Sequence, residues 1–440
     1  MNVATFVAEI FQNELPFRVE AYDGSSADPT SGSSASTVTL KILRREAINR
    51  VLTHPGELGV ARAYVAGDLD IDGDLDALFD LKVPPVRQIL NPRRLRSLLS
   101  AVGPSVLRPI AAPSVEARPR GVVHSRSRDR QSVTHHYDVS NRFYEMVLGP
   151  SMTYSCALFA TPDDTLEVAQ ARKVDLVARK LGLRPGMRLL DVGCGWGAMG
   201  IHAARNYGVR VVGVTLSEPQ RHFAHDQARL AGVADLVDFR VQDYRDVSDG
   251  PFDAISSIGM SEHVGRKALS NYTQSMWNAL KPGGRFLNHA IGRPLTFSDD
   301  PQPSRASELS RQLQSTLGVR RGPKTGSSFI DRYVFPDGEL HEVGTLVSQF
   351  QVHGFEVRHV ESLREHYALT LRHWVDNLTN RFDEAVEEVG VERARVWRLY
   401  MAMSALAFEH HHLEIHQVLN VRPDGGRSDM SLRSDFEPTF

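Results

Sequence analysis

The most chemically informative stretch of this 440-residue chain is Leu189-Leu190-Asp191-Val192-Gly193-Cys194-Gly195-Trp196-Gly197. An apolar strand runs into three glycines, whose missing side chains let backbone approach a ligand closely before a helix begins. A dinucleotide site expects Gly-x-Gly-x-x-Gly, with the third glycine inside the helix. Here the spacing is Gly-x-Gly-x-Gly, and an acid stands two residues ahead of the first glycine. That arrangement suits a ligand with an amino acid and a sulfonium to hold rather than a pyrophosphate, namely S-adenosylmethionine (SAM). Asp191 is expected at the strand's carboxyl end, where open α/β sheets bind ligands. Thr215, Leu216, Ser217, Glu218, Pro219 and Gln220 close the next strand, where a ribose should lie. Asp243 and Tyr244 follow the third, placed to flank an adenine.

The elements that must position these residues can be read from periodicity. Thr165–Leu181 is helical, with Val174, Val177, Ala178 and Leu181 on one stripe. Strands are expected at 188–192, 209–215, 236–241, 252–258 and 285–291, alternating with helices ending near Tyr207, at 218–230 and at 267–280. Strand–helix alternation implies an α/β fold with a mostly parallel sheet covered by helices on both faces. The expected class is a Rossmann-like class I SAM-dependent methyltransferase with a seven-stranded sheet. Helices are also expected at 339–353, 369–389 and 392–409, and a polar stretch from 293 to 324 is expected to cover the site. Residues 1–83 read as a small N-terminal α+β domain with strands at 17–22 and 37–43, 84–130 as a basic Pro/Arg-rich linker, 131–422 as the catalytic domain and 423–440 as a disordered tail.

Composition narrows the class. Hydrophobic residues make up 41% and charged residues 24%, as in an ordinary soluble globular protein. No apolar run approaches the ~18 residues that a spanning helix needs, and no secretion signal is legible. Two cysteines, Cys156 and Cys194, exclude a disulfide framework and fit a cytoplasmic location. A net charge of −2 excludes a polyanion binder as a whole, and no nucleic-acid partner is expected.

With these motifs in place, the chain resembles the cyclopropane-fatty-acyl-phospholipid synthase family and its mycolic acid methyltransferase relatives. The segments that carry the resemblance are His136–Asn141, Met152–Cys156, Leu189–Gly197, Thr215–Gln220, Gly259–Gly265, His289–Gly292, Tyr333–Gly338 and His366–Leu371, in family order across residues 131–420. Residues 37–80 also resemble the small domain of longer bacterial members. The resemblance implies methyl transfer from SAM to a cis double bond of an acyl chain in phospholipid, with bicarbonate as catalytic base. Carried over by motif, Glu262 and His289 would orient the bicarbonate, Tyr367 would donate its hydroxyl, the backbones of Cys156 and Ile291 would complete the cage, and Glu361 would tune Tyr367. Tyr154 and Ser155 join the residues above in contacting SAM. Ser261 stands where the family often has an aromatic residue, a position expected to face the acyl chain. The resemblance leaves two products open: a cyclopropane, or a methylene branch that a reductase could convert to a methyl branch.

Several other features have plainer readings. Glu262-His263 could merely cap the following helix. Cys156 reads as a wall or backbone contributor, since nothing nearby depresses its thiol pKa. His410, His411, His412 and His416 lack a carboxylate–histidine pattern, so no metal is expected, although helical spacing would put His412 and His416 on one face. Asp68–Asp76 lacks the terminal glutamate of a calcium loop and reads as a turn with solvated carboxylates. The N-terminal domain is the candidate homodimer contact. The segment 84–130 carries ten arginines and two acids; Leu95, Leu98, Leu99 and Val102 share a helical face, with Arg93, Arg94 and Arg96 largely off it. Such a segment either links domains or lies on anionic lipid, placing the enzyme peripherally on the membrane's inner face. Charge reversal at Arg93, Arg94 and Arg96 is expected to weaken binding to anionic vesicles about a hundredfold at low salt. Unchanged sedimentation with the vesicles would make the stretch a plain linker.

Overall fold

The computed structural model describes residues 2–11, 14–30, 38–54, 56–73, 96, 99, 102–117, 125, 126, 128, 129, 139–294 and 328–436. Arg93, Arg94, Leu95 and Leu98, residues 136–138 of the first family segment, and the expected cover from 295 to 324 lie outside them. The chain forms two compact units, and they are not contiguous in sequence. One gathers Met1–Arg118, Ser327–Pro336 and Val375–Leu406; the other gathers Pro119–Gly326, Asp337–Trp374 and Ala407–Phe440.

In the first unit, strands β1 (Arg18–Ala21), β2 (Ser26–Ala27), β3 (Thr39–Ile42) and β4 (Leu69–Asp72) pair in the order β2-β1-β3-β4. β1 and β3 run parallel. The helices Arg45–Thr53 and Glu57–Val65 pack tightly enough that a side chain at Gly59 would stand 2.2 Å from the His54 carbonyl. Of the aspartates expected in a solvated turn, Asp68, Asp70 and Asp72 instead make β4 and its approach, and Asp74 and Asp76 lie outside the described residues. Asp68 is buried against Arg50 (2.8 Å), Asp70 meets Arg395 (3.1 Å) and Asp72 meets Lys41 (2.9 Å). Each carboxylate has an opposing cation, which the local sequence could not reveal.

The described part of the basic linker is likewise packed. Asn49 Nδ2 donates to the carbonyls of Val106 and Arg108, and Arg50 to that of Ala111. Glu116 lies buried in a two-pronged bridge from Arg62 (2.7 and 2.8 Å), with Arg332 and the Tyr333 hydroxyl each at 3.2 Å.

In the second unit, β5 (Arg188–Val192), β6 (Arg210–Thr215), β7 (Val237–Val241), β8 (Phe252–Ile258), β9 (Leu280–Gly292), β10 (Glu356–Ser362) and β11 (Glu414–Val421) form one sheet. The order is β10-β11-β9-β8-β5-β6-β7, with β11 antiparallel to both its neighbours and every other pair parallel. Successive residues of a strand must face opposite sides. Accordingly Leu189, Val211, Leu287 and Leu419 join one core cluster, and Leu190, Val212, Phe286 and Val418 join the other. The first is capped by Val174, Val177 and Leu181 of the Leu166–Leu181 helix, and by Met199 and Ala203. The second is capped by Tyr272 and Met276 of the Leu269–Ala279 helix, and by Leu346 and Phe350. The seven-stranded, doubly covered sheet is the one expected.

The strands not anticipated are β10 and β11. β10 mixes charged and apolar residues along a half-exposed edge, and β11 follows the histidine run. His416 therefore lies on a strand opposite Ala290 and shares no helical face with His412. The expected 369–389 helix is two, Arg364–Asn380 and Phe382–Val389. The tail expected to be disordered is placed as far as Phe436. Arg358 holds Ser428 (2.6 Å), while Met430 and Phe436 pack on the first cluster.

Removing one partner of a buried bidentate pair leaves an uncompensated charge. Glu116→Ala should therefore lower stability by roughly 3–5 kcal/mol in urea unfolding. The double change with Arg62→Met should recover much of it.

Candidate active site

β8 ends at Ile258, and one helical turn, Ser261–Val264, follows it. That turn delivers Glu262 to β9, where Glu262 Oε1 accepts the Ile291 N–H at 2.7 Å. The Ile291 amide is thus spent on Glu262 rather than left for an anion. Glu262 is no cap: the next helix begins after Ala268 without a side-chain cap. Its other oxygen, Oε2, is buried without a hydrogen-bond partner among the described residues. Burial pushes the carboxyl up to about 7. His289 lies two residues before Ile291, on the same face of β9, and its Nε2 is buried and unpartnered. Burial, then the charges of Lys173, Lys180 and His416, drive its pKa well below the usual value, so the ring is neutral.

Tyr367 sits on the Arg364–Asn380 helix and belongs to an aromatic run that nothing in the sequence announced. Trp196 of the glycine turn meets Tyr144 (ring centroids 4.6 Å apart), Tyr144 meets Tyr154 (6.0 Å), Tyr154 meets Trp374 (5.3 Å), Trp374 meets Tyr367 (6.0 Å) and Tyr367 meets Phe408 (4.7 Å). Asn141 of the first family segment fixes its start by accepting the Trp196 Nε1–H at 2.9 Å. The run joins the SAM-type turn to the residue expected to donate its hydroxyl.

The loop carrying Tyr154, Ser155 and Cys156 is held from beneath by the Leu166–Leu181 helix. Gln170 Nε2 donates to the carbonyls of Thr153 and Ser155, and Lys173 Nζ to Ser155 Oγ at 2.7 Å. Lys173 is 1% exposed and its pKa falls to about 8, because burial disfavours its charge. Gln170, Lys173 and Lys180 recur at helical spacing beside the apolar stripe, a signal that could have marked a second buried face. The Cys156 sulfur faces the carbonyls of Ala157 and Leu363, and burial raises its thiol pKa, which fits a wall and not a nucleophile.

Ser261, expected to face the acyl chain, is buried, and its hydroxyl accepts from Asn288 Nδ2 at 2.7 Å, in a polar layer with Tyr272 and Ser257. Glu361 pairs with Lys180, which also donates to Gln417 Oε1 at 2.7 Å; the bond found for its carboxylate is to this lysine, not to Tyr367. Both partners are distant in sequence, so spacing could not supply them.

At the glycine turn, Gly193, Gly195 and Gly197 all adopt positive φ. A Cβ at Gly193 or Gly197 would collide with Met260 or Phe239, whereas one at Gly195 would meet nothing within 4 Å. Only Gly195 therefore leaves the open cradle a ligand needs. Beside it Asp191 accepts from Ser256 (2.7 Å) through one oxygen, and the other is buried and unpartnered. Burial lifts its pKa to about 6. Leu189, Leu190 and Val192 are buried core, and Cys194 has a thiol pKa raised by burial. Thr215, Ser217 and Gln220 are buried and bonded to one another, with Leu216 half-buried beside them. Glu218 and Pro219 are exposed, Glu218 bonding Arg221. Asp243 is clamped by Arg245, and Tyr244 stands edge-on to Tyr272. The orphaned Asp191 oxygen and the open space at Gly195 fit the ammonium and carboxylate of a methionine moiety.

A doubly covered sheet with this turn at its strand ends defines a SAM-dependent methyltransferase. The model for the mycolic acid cyclopropane synthetase family matches residues 124–418, and the chain belongs to that family. It is 42% identical to a probable fatty acid methyltransferase of Mycobacterium tuberculosis, over 98% of both chains. It is 30% identical to the cyclopropane-fatty-acyl-phospholipid synthase of Escherichia coli K12, over 88% of each. Among solved structures, a mycolic acid cyclopropane synthase complexed with S-adenosylhomocysteine and CTAB matches 66% of this chain and 97% of its own, with a TM-score of 0.58 at 31% identity. Among the described residues no helix is long and apolar enough to cross a membrane.

Because the Glu262 pKa is raised, its neutral form is favoured by folding, and that advantage is lost as pH rises through about 7. Glu262→Gln keeps the acceptor for Ile291 without the ionisable proton. The variant should match wild type below about pH 4 and exceed it above pH 8 by up to about 3 kcal/mol in denaturant titrations.

Proposed function

We propose that this enzyme transfers the SAM methyl group to a cis double bond of an unsaturated acyl chain in a phospholipid, giving a carbocation that closes to a cyclopropane as a proton leaves the added methyl. The observation that carries this reading is the aromatic run from Trp196 to Tyr367. An alkene is a weak nucleophile and must meet the sulfonium in line in a dry place. Aromatic faces exclude water there and attract positive charge, contributing roughly 0.5–2 kcal/mol each.

SAM, when bound, supplies an electrophilic methyl and leaves as S-adenosylhomocysteine. Bicarbonate, when bound, supplies an oxyanion able to accept the departing proton. The chain's own residues prepare for both. Asp191 Oδ2 receives the SAM ammonium and the space at Gly195 its carboxylate. Thr215, Ser217 and Gln220 form a rigid rest for the ribose. The orphaned Glu262 Oε2 and His289 Nε2 hold the bicarbonate, with the Tyr367 hydroxyl and the Cys156 backbone completing its surroundings. Glu262 carries its proton up to about pH 7 and so donates to the anion instead of repelling it. Anionic lipid held by the basic segment would bring the acyl chain to this site, on the inner face of the membrane.

Incubation with methyl-labelled SAM and oleoyl phospholipid should place label in the acyl chain, with fragmentation mass spectrometry locating a ring. A methylene branch would move the proton loss to the neighbouring carbon and call for a reductase to use the product. Label confined to a soluble small molecule would reject the lipid reading. Glu262→Leu, which removes the donor to the anion, should lower kcat about a hundredfold and abolish the response to added bicarbonate, whereas Glu262→Gln, which keeps a donor there, should retain most of both.

A further inference from the structure

Three residues stand in one row across adjacent strands: Glu361 on β10 opposite Gln417 on β11, and Gln417 opposite His289 on β9. Residues paired in this way share a face of the sheet. Lys180, from the last turn of the Leu166–Leu181 helix, lies over the row and is 1% exposed. Its ammonium donates to Glu361 Oε2 and, at 2.7 Å, to Gln417 Oε1, while Gln417 Nε2 lies 3.3 Å from His289 Nδ1.

An ammonium has donors only, so it turns the amide oxygen of Gln417 toward itself and the amide nitrogen toward the imidazole. An amide nitrogen donates and does not accept. His289 Nδ1 must then carry the lone pair, and the ring proton must sit on Nε2. The opposite tautomer would set two N–H groups against each other in a dry interior, at the cost of a buried unmade bond. Glu361 completes the chain by opposing the burial that disfavours the Lys180 charge.

We propose that Lys180 and Gln417, backed by Glu361, are positioning residues that lock His289 as the neutral Nε2–H tautomer and so make it a fixed hydrogen-bond donor to an oxyanion. In that state the ring has no lone pair facing the site, and the proton leaving the substrate goes to the bound anion and not to histidine. The assignment rests on the reading of Glu262 and His289 as an oxyanion cage. It adds the reason why the ring cannot serve as the base.

The test is the tautomer itself, read by 15N chemical shifts and two-bond couplings of the imidazoles in the full-length protein, with His289 assigned by loss of its signals in His289→Asn. Wild type should show Nε2 protonated and Nδ1 unprotonated. Gln417→Glu, of nearly the same shape, places an acceptor against Nδ1 and should move the proton there. It should also raise the KM for bicarbonate or lower kcat, with kcat/KM for bicarbonate down about a hundredfold and SAM affinity unchanged. Lys180→Met frees the amide to turn and should give a mixture of tautomers, a second route should the glutamate variant fail to fold. An Nδ1–H tautomer or an imidazolium in wild type at neutral pH would overturn the proposal. So would a shifted tautomer in Gln417→Glu with unchanged bicarbonate dependence. The expected wild-type tautomer without any label reaching lipid would sustain the lock and sink the lipid reading instead.

Discussion

The hydrogen bond from the Ile291 amide to Glu262 is the point on which the site turns. It crosses from the turn after β8 to β9 and fixes a carboxyl whose second oxygen is buried. Dryness then sets the charge state of everything nearby. Glu262 rises to about 7, Asp191 rises to about 6, Lys173 falls to about 8 and His289 is held neutral, each with burial as the largest cause. Four ionisable groups are pushed toward neutrality by one condition. In such surroundings a cation on the substrate is strongly felt by whatever single anion is present, because Coulomb energy grows as the local dielectric falls.

The sheet divides its labour along this site. Its parallel strands end in the glycine turn, the Thr215–Gln220 loop and Asp243, the usual ligand side of an open α/β sheet. The antiparallel insertion of β11 beside β9 brings in the other half. It sets Gln417 against His289, with Glu361 of β10 beyond it. The Leu166–Leu181 helix spans both halves from below: Gln170 and Lys173 hold the Ser155 loop, and Lys180 holds the row. One helix thereby couples the loop expected to touch SAM with the histidine expected to face the base.

Departures from the sequence reading share a cause. The expectations for Ser261 and Glu361 rest on the family resemblance and that for the Asp68–Asp72 carboxylates on local pattern, and each residue takes a partner elsewhere in the chain: Asn288, Lys180, and Arg50, Arg395 or Lys41. Local spacing cannot show such partners, because a buried polar side chain is satisfied by whatever packing brings to it. The tail held by Arg358 is a further case of distant residues deciding local order.

The sequence by itself determined the alternation of strands and helices, the doubly covered sheet and the glycine turn with its acid, because periodicity and short motifs are local properties of a chain, while the resemblance to the family supplied Glu262, His289 and Tyr367 as candidates. Only the tertiary structure decided what these residues do to one another. It joined six aromatic rings from separate segments into one wall, spent the Ile291 amide on Glu262, and placed an ammonium, an amide and an imidazole in a row that fixes where a single proton sits. Those outcomes depend on strand register and helix packing, which bring together groups hundreds of residues apart and remove the water that would otherwise satisfy them.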